Sequence, residues 1–572
     1  MTRSEKYYWW FFIGLVFFSL TTSADDRPSA QAVATAHPLA TEAGVQILQQ
    51  GGNAFDAAVT ISAVLAVVEP YGSGIGGGGF WLLHRAKDQH QIMLDGREKA
   101  PLQAHPQMYL DEKGNPVSGL SIDGPLAAGI PGTPAALVHL AKKYGRLPLP
   151  ATLSPAIMLA ETGFTVDAHY QRMAQFRLNA IRQSPAARTQ FLLQGEVPPV
   201  GYRIRQPDLA MTLRRLADEG KGGFYQGGVA KKLVQGVREA GGIWTLADLA
   251  DYHIVERQPI IGNYQGYRIV SASPPSSGGI ALVQMLQMLD QLPEKIKQAY
   301  SEISTELNAS QIHILSEIMR RAYRDRARHL GDTDFVSVPL SQLLNPVYNQ
   351  ELAADIQLDQ ATISQALKND SEKKGRDTTH FSVLDAEGNR VAATLSINYP
   401  FGSGFVPPGT GVLLNDEMDD FSIRPDIPNA YGLVGSQANA IAPGKRMLSS
   451  MTPTFIEHKD RVAILGTPGG SRIISMVFLG TLQSMSGAPV QDWVGLPRFH
   501  HQYLPDLIQF EPDSFSAELQ AALTQKGHRL QPVSYRYGNM QAILWDKETN
   551  RVSAASDPRR SGSYQVVSSD VR

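Results

Sequence analysis

Residues 353–376 form a polar, charged stretch that includes Lys368 to Lys374, and it stops at Thr378-Thr379-His380, where a strand pattern begins. This junction divides the chain by character. Ahead of it, from about Pro131 to Asp370, helical patterns dominate, as in Thr212 to Ala217 and Gln311 to Arg328. Nearer the N-terminus, Leu39, Ala43, Ile47 and Leu48 recur at helical spacing up to the stop Gly51-Gly52-Asn53, and Ala54 to Val68 reads as a nearly all-apolar, buried helix. Beyond the junction, His380 to Leu384 and Arg390 to Ile397 alternate like strands around the turn Ala386-Glu387-Gly388-Asn389. Further strands are expected at Gly411 to Leu414, Thr454 to Glu457 and Val462 to Leu465. A helix-rich part followed by a strand-rich part with flanking helices predicts a layered α+β fold, with the polar stretch as an exposed, mobile linker.

Composition narrows the function. A chain of 572 residues suggests two to four domains from length alone, and 43% hydrophobic with 19% charged residues is ordinary for a globular protein. The net charge of −2 offers no broad field for a polyanion, so nucleic acid is not an expected partner. The absence of cysteine excludes a thiol nucleophile, a disulfide framework and thiolate metal sites. Arg3 and Lys6, the apolar run Tyr7 to Leu20 and the small residues up to Ala24 read as a secretory signal over 1–24, with an uncleaved anchor as the alternative. A periplasmic or secreted location is therefore expected.

Several tempting motifs fail. Gly72, Gly74 and Gly77 spell G-x-G-x-x-G, but the pattern follows a helix and opens a strand, the reverse of a dinucleotide fold, so close backbone packing is the expectation. His500 and His501 are adjacent and face apart, no H-x-x-x-H accompanies an acid, and no metal site is expected. No G-x-S-x-G elbow is present. The run Arg320, Arg321, Arg324, Arg326 and Arg328 reads as a solvated or salt-bridged helix face.

The junction itself carries chemistry of one specific kind. A threonine hydroxyl is a poor nucleophile without a base, and its own α-amino group, with a pKa near 8, is the simplest base available. That amine exists only if the chain is cut before Thr378. Residue type alone gives no more than an ordinary threonine at a strand start.

Surrounding blocks add a resemblance. TTHFSVLDAEGNRVAATLSIN (378–398), FGSG (401–404), LLNDEMDDFS (413–422), PGKRMLSSMTPT (443–454) and GTPGGSRI (466–473) resemble the small-subunit signature of gamma-glutamyltranspeptidases. GGNAFDAAV (51–59), LDGREKAP (94–101), GIPGT (129–133), PPSSGG (274–279), PRFHHQ (497–502) and ASDPR (555–559) resemble the family's remaining blocks, in order. The resemblance implies an N-terminal nucleophile hydrolase with a four-layer αββα sandwich. It would be one compact unit made of a large subunit, 25–377, and a small subunit, 378–572, separated by self-cleavage between Asp377 and Thr378.

It also implies roles. Thr378 would be the nucleophile, with Ser396 standing where the family usually has a supporting threonine, so that the hydroxyl is kept and a methyl lost. Gly469 and Gly470 would donate backbone N–H groups to the oxyanion. Arg97, Ser449 and Ser450 would hold the α-carboxylate of a γ-glutamyl group, and Asn398, Glu417 and Asp420 its ammonium. Tyr431, within the Pro425–Arg446 segment, would gate a lid. Each has a plainer reading: an Arg97–Asp420 ion pair, serines capping a helix, a Gly-Gly turn, a surface loop. No cofactor is implied. The expected activity is transfer of the γ-glutamyl group of glutathione and related amides to water, amino acids or short peptides. The alternatives are a cephalosporin (glutaryl) acylase or polyglutamate-cleaving enzyme on the same scaffold, or an uncleaved, inactive binding protein.

Overall fold

The computed structural model describes residues 27–301, 307–364, 378–424 and 435–568. Two antiparallel sheets lie face to face. The first has seven strands in the order 563–568, 30–35, 379–384, 390–396, 78–85, 90–95, 255–257, and the second six in the order 551–556, 541–546, 461–466, 454–458, 267–271, 260–264. Each sheet draws strands from both sides of residue 378. The length-based expectation of several domains therefore gives way to one interleaved unit, because neither side alone supplies a complete sheet.

Alternation along the central strands builds the layers. In Thr379–Leu384 and Arg390–Ser396, the side chains of Phe381, Val383, Val391, Ala393 and Leu395 join the core formed with helices Pro38–Gln49 and Ala54–Val68. Leu384 and Ala392 face the other way, into a core shared with Phe455, Ile464 and Ile543 of the second sheet. Helices Gly278–Asp290, Ala309–His329 and Ile473–Met485 cover that sheet's far side. The result is a four-layer αββα sandwich. Helix Ala54–Val68 is buried along its whole length, as its composition predicts for a helix enclosed on all sides.

Two expectations need correction. Gly411 to Leu414 is not a strand; Leu414 makes one isolated parallel bridge with Gly76, and Gly411 has a φ of +65° that breaks extended pairing. The stretch from 353 is not an open linker up to residue 364: helix Pro346–Ala354 runs into it, Ile356 and Ala361 are buried, and the Thr362 and Ser364 N–H groups donate to Glu317 (3.1 Å) and Asp506 (2.8 Å). Residues 365–377, including Asp377, lie outside the described residues, as do 1–24 and Tyr431. For the arginine run the solvated reading gives way to the salt-bridged one that was expected beside it. Arg320, Arg321 and Arg326 are buried; the first two are paired with Glu317, and Arg326 is held by hydroxyls. Among the described residues no helix is long and apolar enough to cross a membrane.

Candidate active site

The hairpin register creates the site. Thr379 pairs with Leu395 and His380 with Thr394 across the turn at Gly388 (φ +86°), so the residues next along, Thr378 and Ser396, meet at the strand ends. Their hydroxyl oxygens are 3.4 Å apart and both residues are buried. The Ser396 Oγ also accepts the Asn398 N–H at 2.8 Å. That second bond fixes the hydroxyl without the methyl a threonine would use to restrict its rotamer. Beside the pair, Thr379 donates to Glu69 at 2.8 Å.

The glycines of 72–77 let this corner close. A Cβ on Gly77 would lie 2.2 Å from the Ser396 carbonyl oxygen, and one on Gly76 2.0 Å from that of Leu413. Asn415 then ties three loops together, donating to the Gly76 (2.7 Å) and Gly129 (2.8 Å) carbonyls and accepting the Gly129 and Glu417 N–H groups. Close backbone packing is what this glycine motif provides.

Thr378, Ser396, Asn398, Arg97, Glu417, Asp420, Ser449, Ser450 and Gly470 line one cleft of about 310 Å³. Within it the buried Arg97 guanidinium donates to Glu417 (2.5 Å) and to Asp420. Burial opposes its charge, but those two carboxylates outweigh burial and raise its pKa. Burial pushes Glu417 up to about 7, with Arg97 pulling down and Asp420 pushing up. Its second oxygen, Oε1, has no hydrogen-bond partner. Burial, then Glu417, raises the neighbouring Glu98 well above the carboxylate range. Asn398, at φ +74°, gives its amide N–H to the Asp416 backbone oxygen at 2.9 Å.

The paired serines sit in a loop bridged to Ser276. The Ser449 Oγ accepts the Met451 N–H at 3.0 Å and the Ser450 Oγ accepts from Arg326 at 3.2 Å. Neither caps a helix. Gly469 (φ +143°) and Gly470 (φ +58°) lead into helix Ile473–Met485, and among the described residues neither N–H has an acceptor. Gly470 lines the cleft; Gly469 does not, although a Cβ there would lie 2.6 Å from Met476 Cε.

Comparison with known proteins agrees with this geometry. The gamma-glutamyltranspeptidase family model matches residues 40–567. Glutathione hydrolase proenzymes of Pseudomonas sp. (strain A14) and Escherichia coli (strain K12) are similar at 41% identity over 547 residues and 40% over 532, each over 92% of this chain and over 92% and 90% of their own. The chain belongs to the gamma-glutamyltranspeptidase family. Among solved structures, a cephalosporin acylase from Bacillus halodurans superposes with a TM-score of 0.81 at 27% identity over 99% of both chains. The Helicobacter pylori gamma-glutamyltranspeptidase gives 0.54 at 41% identity, covering 57% of this chain and 92% of its own.

Sequence reasoning missed the groups that brace this family member's site. Tyr323 donates to the Ser471 carbonyl, and Ser471 Oγ donates to Gln502 at 2.7 Å, where His500 also bonds at 2.8 Å. His500, dismissed as a metal ligand, thus supports the glycine loop; its place in PRFHHQ was visible but its partner was not. His313, Glu317 and His528 come together in the fold, yet the two rings bond each other (2.7 Å), His313 also bonds the Gln357 carbonyl, and Arg320 and Arg321 occupy Glu317. With those atoms committed, the trio is a closed hydrogen-bond chain rather than a ligand set.

Proposed function

We propose that this chain is a self-processed γ-glutamyl transferase and hydrolase whose nucleophile is Thr378. The observation that carries the reading is that Thr378 and Ser396 line one cleft together with Arg97, Glu417, Asp420, Ser449 and Ser450. Opposite charges held side by side suit a free α-amino acid head, which is itself a zwitterion.

In the precursor the Thr378 Oγ1 attacks the Asp377 carbonyl carbon. The C–N bond breaks, the amide nitrogen takes the hydroxyl proton, and an ester links Asp377 to Thr378. Water then cleaves the ester, leaving a carboxylate on Asp377 and a free amine and hydroxyl on Thr378. In the mature enzyme that amine takes the hydroxyl proton as Oγ1 attacks the donor's γ-carbonyl. The Gly469 and Gly470 N–H groups stabilise the oxyanion. Collapse expels the leaving amine with the proton and leaves a γ-glutamyl ester on Thr378, which water or the amine of an amino acid or peptide resolves. Glutathione and related γ-glutamyl amides are the donors. Residues 25–377 and 378–572 become the large and small subunits, and the segment 1–24 directs export to the periplasm or beyond.

A glutaryl acylase on the same scaffold is the second reading, favoured by the structural likeness to the Bacillus halodurans protein. A glutaryl head has no ammonium, and it would leave Glu417 Oε1 buried and without a partner. The test is the intact mass and N-terminal sequence of each fragment of purified protein, followed by turnover of glutathione against a glutaryl amide. Two fragments, the smaller starting at Thr378, with glutathione preferred, support the proposal. A single stable chain, or preference for the glutaryl amide, refutes it.

A further inference from the structure

Helix Ala309–His329 passes behind the cleft and presents Tyr323 and Arg326, one turn apart and so on one face, to two different loops of the site. Tyr323 donates to the Ser471 carbonyl of the glycine loop. Arg326 donates through Nε to the Ser277 Oγ at 3.0 Å and through Nη2 to the Ser450 Oγ at 3.2 Å. Arg326 is 5% exposed; among the described residues no carboxylate lies within ion-pair distance of it, and the charge of Asp420 reaches it only from farther off. A buried guanidinium bonded only to neutral hydroxyls is costly, and proteins rarely keep one without a counter-charge.

The charges around the cleft show where that counter-charge enters. Arg97 faces Glu417 and Asp420, with Glu98 also 3.5 Å away. Without Arg326, the cleft would meet an incoming carboxylate with one cation already committed to two acids. Arg326 places a second cation behind the serines, where an incoming carboxylate would meet it. The serines transmit this. Ser450 Oγ accepts from Arg326 and Ser449 Oγ from the Met451 N–H, so each hydroxyl keeps its own proton to donate into the cleft. Ser277, holding Arg326 on one side, donates to the Ser449 carbonyl at 2.7 Å on the other and locks the serine loop in place.

We propose that Arg326 is a positioning and specificity residue for the donor's α-carboxylate, acting through Ser450 and Ser277 without touching the substrate. This rests on the γ-glutamyl reading above. It makes the Arg326–Ser450 pair the element that distinguishes a free α-carboxylate from its neutral amide.

The test uses the processed enzyme with Arg326→Gln, Arg326→Lys, Ser450→Ala and the Arg326→Gln/Ser450→Ala double variant. KM and kcat are read on a γ-glutamyl anilide, with L-glutamate and L-isoglutamine, its α-carboxamide, as competitive inhibitors. Because hydrogen bonds to charged groups each contribute roughly a tenfold effect or more, Arg326→Gln is expected to raise KM and the glutamate inhibition constant at least ~10-fold. Its kcat should stay within about twofold and the isoglutamine constant should hardly move. The double variant should be little worse than the worse single one, and Arg326→Lys intermediate. Equal losses on both inhibitors, a fall in kcat without a KM change, or additive single effects would overturn the proposal. Should Arg326→Gln fail to process, Arg326→Lys and Ser450→Ala carry the same contrast. Absence of γ-glutamyl turnover in the unaltered enzyme would instead count against the functional reading.

Discussion

Replacing Glu417 with glutamine tests the site's electrostatics at one atom pair. Glu417 Oε2 takes the Arg97 N–H at 2.5 Å, and Oε1 is buried with no hydrogen-bond partner among the described residues. Ionised, the carboxylate serves both neighbours; glutamine has one oxygen, so either Arg97 or the donor's ammonium meets an N–H instead. Burial lifts the Glu417 pKa from 4.5 to about 7, Arg97 pulling down and Asp420 pushing up. The charged form that binds ammonium is therefore lost as pH falls through about 7, and kcat/KM for a γ-glutamyl anilide should fall on that acid limb. Glu417→Gln should remove the limb and raise KM roughly 10-fold at pH 8, as expected for one charge-assisted hydrogen bond. A separate limb in kcat, from the Thr378 amine with an unperturbed pKa near 8, should remain. Stability runs the opposite way. The unfolded chain releases this proton near 4.5 and the folded one near 7, so stability is lost as pH rises between them. The shift corresponds to about 3 kcal/mol at the upper end. Glu417→Gln should flatten the decline in melting temperature from pH 5 to pH 8. The reasoning is refuted if the acid limb of kcat/KM and the pH dependence of melting both survive the substitution.

Other substitutions probe the remaining parts. Thr378→Ala should leave one uncut chain with no transferase activity, seen as a single band and a single mass. Gly469→Ala puts a Cβ where φ is +143°, a backbone conformation that strains any L side chain, so the loop must shift; kcat should fall by ~100-fold or more with KM little changed. Gly77→Ala places a methyl 2.2 Å from the Ser396 carbonyl and 2.6 Å from Ile397 Cγ2, where the backbone cannot yield. It should cost ~3 kcal/mol and slow cleavage, measured as a lower melting temperature and a larger uncut fraction.

Legibility followed the range of the interaction. The strands Thr379–Leu384 and Arg390–Ser396, and the hairpin that joins Thr378 to Ser396, were visible because alternation and a Gly-containing turn act locally. The sandwich came from the family resemblance and not from periodicity, which says nothing about strand partners far apart in the chain, and each sheet takes strands from both sides of residue 378. The same limit explains Arg326. Along the helix its neighbours are arginines, an aspartate and an alanine, and that local pattern describes a charged surface. Its actual environment is set by Ser277 and Ser450, from loops on either side of the junction.

That non-local construction bears on why cleavage need not separate the halves. Strand Thr379–Leu384 is hydrogen-bonded between Ala30–Thr35 and Arg390–Ser396, so a cut before Thr378 frees an end already held from both sides. Arg97, Ser277 and Arg326 come from the first part, and Glu417, Asp420 and Ser450 from the second. The ionic and hydroxyl contacts that shape the cleft therefore also cross between the two pieces. On the proposed cleavage, a new amine at Thr378 would appear inside an assembled site, where Ser396 is already fixed by the Asn398 N–H. Preorganisation of this kind lowers the reorganisation needed at each turnover, because the nucleophile's surroundings are in place before the amine exists.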